Sequence, residues 1–116
     1  MSTKGPLVDV ELVRNMLYDD DAYVKEFAGA SIQSFSEFKQ SFRKHVLNRD
    51  MDELRKAGHK IKPAALMLNL NPVMDMYEES KQMLENNASA SELEEIAGKM
   101  DDYCGQVLTE FEEISS

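Results

Sequence analysis

Residues 50–70 read Asp-Met-Asp-Glu-Leu-Arg-Lys-Ala-Gly-His-Lys-Ile-Lys-Pro-Ala-Ala-Leu-Met-Leu-Asn-Leu, and their spacing is that of an amphipathic helix reaching about Asn69. At 100° per position, Leu54, Ala57, Gly58, Ile61, Ala64, Ala65 and Leu68 fall within an arc of roughly 120°, all of them apolar or glycine. That face is expected in a core. Asp52, Arg55, Lys56, His59, Lys62, Pro63, Leu66 and Leu70 take the opposite face. His59 lies near its centre, with Arg55 one turn before it and Lys62 one turn beyond. Asp50 followed by Glu53 has the form of a capping box and opens the helix.

Working outward, the same period recurs on both sides. Val8 to Leu17 is a short amphipathic helix. Asp19-Asp20-Asp21 supplies N-cap and first-turn carboxylates to a long second helix carrying Val24, Phe27, Ala28, Phe35, Phe38, Phe42 and Val46, which Asn48-Arg49-Asp50 ends. After the quoted stretch, Asn71-Pro72 reads as a cap followed by proline at the first helical position. That fourth helix ends near Asn86-Asn87. Ser91 with Glu94 marks a capping box for a fifth helix striped by Leu93, Ile96, Met100, Tyr103, Val107, Phe111 and Ile114. No strand pattern is present. Short loops make successive helices antiparallel neighbours, so the expected fold is all-α: an up-and-down four-helix bundle with a short additional N-terminal helix. Residues 1–7 read as a flexible arm and residues 8–116 as the single bundle domain.

Composition narrows the function. The 116 residues are 42% apolar, enough for one modest core. No apolar run reaches the length of a membrane span and no signal-peptide core is visible, which points to the cytoplasm. A net charge of −9 argues against nucleic acid and anionic lipid as partners. The acidity is uneven: Lys39, Arg43, Lys44, Arg49, Arg55, Lys56, Lys60 and Lys62 crowd into residues 39–62, whereas the last third is mostly Glu and Asp. Such a basic segment marks an anionic group or partner. The single cysteine, Cys104, lies in an apolar stripe and reads as a small buried hydrophobe. His45, near a helix C-terminus, reads as a solvated side chain, and the glutamates of the fifth helix as a solvated face.

The chemistry at His59 follows from its neighbours. An imidazole is nucleophilic near neutral pH and forms a labile nitrogen–phosphorus bond. Phosphoryl transfer asks little of the protein beyond positioning and positive charge near the equatorial oxygens. Lys62 at i+3 supplies that charge on the same face, with Arg55 adding to it at longer range. Leu66 and Leu70 project at about −20° and +20° from His59 on the helical wheel. With Pro63 they form an apolar strip that, together with Lys56, is the expected docking surface for a partner; cover by the short first helix is the competing reading. Neither histidine has glutamate three positions before it (Phe42 and Lys56 stand there), so the Glu-x-x-His pairs of di-metal bundles are missing. No metal or other cofactor is expected. Nor is there a nucleotide-binding glycine loop, so the chain is not itself a kinase.

Residues 57–69, Ala-Gly-His-Lys-Ile-Lys-Pro-Ala-Ala-Leu-Met-Leu-Asn, resemble the signature of the histidine-containing phosphotransfer (HPt) family. His59, Ile61, Lys62, Ala64, Ala65 and Leu68 fit it in register. The likeness extends along most of the chain, including the turn Asn48-Arg49-Asp50 before the histidine helix. The resemblance implies that His59 accepts a phosphoryl group from an aspartyl phosphate and passes it to another receiver aspartate. The implied partners are response-regulator receiver domains and a hybrid sensor histidine kinase. Mg²⁺ would be held in the partner receiver, and this chain would act as a monomer. Pro63 and Asn69 stand where the family usually has glycines; proline withholds an amide from the carbonyl of residue 59, so a local kink is expected. The alternative is a bundle that docks receivers without transferring phosphate.

Overall fold

A computed structural model describes residues 6–116, and within them the protein is all-helical, with α1 (Val10–Met16), α2 (Asp21–Leu47), α3 (Met51–Met67), α4 (Asn71–Glu85) and α5 (Ala90–Ser115). No strand occurs among the described residues. None of these helices is long and apolar enough to cross a membrane.

α1, α2, α3 and α5 start where a side chain can take their unpaired amides. Asp9 accepts from the amide of Leu12, Asp20 from those of Ala22 and Tyr23, and Asp50 from that of Glu53. The fifth helix opens on a capping box formed by Ser89 and Glu92, not by Ser91 and Glu94. Asn87, at φ 56°, ends the preceding turn early enough for the next helix to begin at Ala90, and Glu94 is engaged elsewhere, by Arg43. Asn71 is likewise not a cap. It lies inside α4, whose N-cap is Leu70 without any side-chain bond.

The helix ends share one device. Arg49, Asn69 and Asn87 all have φ between 56° and 57°, and the residue after each donates its amide back five positions: Asp50 to His45, Leu70 to Ala65 and Ala88 to Met83. This is the Schellman closure, in which a left-handed residue turns the chain and the next side chain folds onto the helix. It lets α2, α3, α4 and α5 follow one another through very short turns.

α2 packs against α3 and α5, α4 also packs against α3 and α5, and α1 packs against α2. Between α2 and α5, the Phe111 ring lies 6.2 Å from that of Phe35 and 6.3 Å from that of Phe27. Arg43 of α2 bonds Asp101 of α5 at 2.6 Å and also binds Glu94. Glu110 accepts from the amides of Leu7 at 2.9 Å and Val8 at 2.7 Å. Val8 is buried, so the expected flexible arm does not include Leu7, which is tied to α5; residues 1–5 lie outside the described residues. Three acidic residues of α5, Glu94, Asp101 and Glu110, are therefore structural tethers and not merely a solvated face.

Candidate functional site

The apolar stripe of α3 packs as its spacing predicts: Leu54, Gly58, Ile61 and Ala65 are buried and Ala57 and Ala64 half-buried. Arg55, Lys56, His59, Lys62, Pro63 and Leu66 are exposed on the other side. α3 continues as helix through Pro63, whose ring nitrogen has no proton to give the carbonyl of His59.

Leu70 departs from the expected surface. It is fully buried, at 0% exposure, whereas Leu66 is 48% exposed. The helical wheel no longer applies at residue 70, because α3 ends at Met67 and Asn69 is left-handed. Leu70 is the hydrophobic residue of the Schellman closure and turns inward. The exposed apolar side chains beyond His59 are instead Pro63, Leu66 and Met67. α1 does not cover Leu66.

The basic segment divides into engaged and free charges. Arg43 is bound to α5, Arg49 donates to the carbonyl of Ala88, Lys60 pairs with Glu37 at 3.3 Å, and Lys56 with Glu53 at 2.9 Å. The Glu53 carboxylate raises the pKa of the Lys56 ammonium by hydrogen bonding and proximity. Among the described residues, Lys39, Lys44, Arg55 and Lys62 have no ion-pair partner; of these, Arg55 and Lys62 lie one turn from His59 on its own face.

A cleft opens beside His59, lined from α3 by Gly58, His59 and Lys62 and from α4 by Met74, Tyr77, Glu78 and Lys81. Gly58 makes room for the Tyr77 ring in its wall. A Cβ at position 58 would sit 2.1 Å from Cζ of Tyr77, so the ring of α4 rests directly on the backbone of the turn that carries the histidine. The Lys81 ammonium is 4.7 Å from the centre of that ring and 3.2 Å from the Glu78 carboxylate. Sequence reasoning centred on α3 misses these α4 residues. One signal was available: a lone glycine in an otherwise filled core stripe implies a large side chain opposite.

His45 is half-buried in the last turn of α2. Cys104 is buried, and desolvation pushes its thiol up to about 12, which removes it as a nucleophile near neutral pH. Among the described residues no three His, Cys, Asp or Glu side chains converge as a metal site. Comparison with protein-family models, with curated proteins and with solved structures finds no match.

Proposed function

We propose that this chain is a histidine-containing phosphotransfer protein whose phosphoryl acceptor is His59. The observation that carries the reading is the exposure of His59 at the centre of α3, between two cations, Arg55 and Lys62, that have no carboxylate partner among the described residues. In this reading α2–α5 form the antiparallel up-and-down four-helix bundle and α1 is the additional helix. The donor is an aspartyl phosphate on a receiver domain, supplied through a hybrid sensor histidine kinase, and the acceptor is a second receiver aspartate in the cytoplasm. Mg²⁺ belongs to the receiver.

The step balances without other reactants. The lone pair of one neutral ring nitrogen forms the nitrogen–phosphorus bond as the aspartyl oxygen–phosphorus bond breaks. The carboxylate leaves with that electron pair, and the second ring nitrogen keeps its proton. Lys62 and Arg55 face the phosphoryl oxygens and offset their charge. Asn69 answers one departure from the family's pattern: the position is left-handed at φ 57°, a conformation that asparagine tolerates better than most residues. Pro63, Leu66 and Met67, with Lys56 at the edge, form the surface that would exclude water around the group in transfer.

Incubation with phosphorylated receivers, followed by a test for acid-labile, base-stable phosphate, examines the reading directly; persistent absence of label on His59 with every competent donor overturns it. Lys62→Ala is expected to slow transfer by roughly one to two orders of magnitude, by analogy with removing one stabilising donor, while the melting temperature holds. A wild-type rate would assign charge neutralisation to Arg55 or to the receiver. Leu66→Asp is expected to weaken receiver binding with stability changed by less than about 1 kcal/mol, as for a surface position; unchanged receiver affinity in titration calorimetry would remove Leu66 from the docking surface.

A further inference from the structure

The cleft beside His59 has a second wall that the α3 motif does not account for. Lys81 is not a free surface lysine: its side chain is only 24% exposed, its stem lies along α4, and two separate contacts aim its ammonium. One is the face of the Tyr77 ring at 4.7 Å and the other the Glu78 carboxylate at 3.2 Å. Tyr77 is itself fixed, being buried against Gly58, where no Cβ intervenes. Its hydroxyl reaches the carbonyl of Arg55 at 3.5 Å. The position of Lys81 is thereby coupled to the helical turn that presents His59, and both residues line one cleft with Lys62.

Resting on the phosphotransfer reading, we propose that Lys81 is a phosphoryl-contacting residue, held by Glu78 while His59 is unmodified and transferred to the phosphoryl oxygens once His59 is phosphorylated. The exchange is electrostatically favoured. Glu78 is 59% exposed, and an i,i+3 pair open to water contributes little. A phosphoryl group carries more charge and three acceptor oxygens. Glu78 also lines the cleft, so its carboxylate opposes the incoming phosphoryl group until Lys81 changes partner. No bond order changes in this step: Lys81 keeps its proton throughout, and Glu78 returns to water as a carboxylate. The phosphoryl site is then shared between α3, through Lys62, and α4, through Lys81. Both sides of the group are neutralised only when the two helices are packed.

The test uses the full chain and phosphoramidate, a small donor whose phosphorus–nitrogen bond breaks with loss of ammonia, so that receiver docking does not enter. Labelling is followed by intact mass and the product by phosphorus NMR. Lys81→Gln is expected to slow phosphorylation of His59 roughly fivefold to tenfold, less than loss of an enclosed donor, and to raise the pKa of the phosphoryl group in an NMR titration. Lys81→Arg should restore both, and Glu78→Gln should speed labelling. The NMR titration separates contact with the group from a merely structural role. If the wild type is labelled on His59 while Lys81→Gln matches it in rate and in titration, the inference is overturned and the phosphotransfer reading stands. If the wild type takes no label from phosphoramidate or from any receiver, the phosphotransfer reading fails, and the inference with it.

Discussion

His59→Gln is expected to abolish phosphate acceptance completely while leaving the fold in place. The two effects separate because of where the side chain lies. His59 is exposed on α3 and takes no part in the core, so its replacement by another helix-compatible polar residue should change stability by no more than about 0.5 kcal/mol. The glutamine amide has no lone pair able to attack phosphorus, so loss of label should be total and not graded. His45→Gln serves as the control. That residue closes α2 away from the cleft, and its loss should leave labelling unchanged. Labelled phosphate on His59→Gln at wild-type levels, or its disappearance from His45→Gln alone, would move the acceptor elsewhere.

Gly58→Leu is expected to destabilise the bundle substantially. Even a Cβ there would lie 2.1 Å from the Tyr77 ring, and leucine adds three further carbons in that direction. Leucine favours the helix by up to about 1 kcal/mol over glycine, which offsets part of the cost. Forcing methylenes into a packed interior costs about 3 kcal/mol at the upper end, and expelling the Tyr77 ring also loses its burial. Overpacking therefore wins, with a net loss of about 2 kcal/mol or more. Chemical denaturation of Gly58→Leu, Tyr77→Ala and the double variant forms a cycle that checks this. Recovery of most of the lost stability in the double variant is the expected result. Additive losses would mean that the two residues do not compete for one space. Phosphate acceptance should fall along with stability, because the ring also aims Lys81.

Much of the fold was legible because helix formation is governed by neighbours three and four positions away. The apolar stripe of α3 is buried as its period requires, Asp20 and Asp50 cap the helices they precede, and Arg55, His59 and Lys62 share an exposed face. Boundaries were less legible. Two serines stand near the start of α5, each with glutamate three residues on, and only the geometry of the turn at Asn87 selects Ser89 over Ser91. The same limit explains Leu70. A helical wheel projects it outward, yet the left-handed Asn69 ends the helix and sends it into the core.

The sequence by itself determined that the chain is helical, which face of α3 meets the core, and which histidine stands outward between two cations. Those properties are local, set by residues within one turn of each other. The tertiary structure decided which charges are free and what surrounds the histidine. Lys60 and Arg43 find carboxylates on other helices, while Arg55 and Lys62 do not among the described residues. Tyr77 and Lys81 come to His59 only because Gly58 lets α4 rest against α3. Contacts of this kind join residues on separate helices, and no periodicity within one helix encodes which side chain a neighbouring helix will bring.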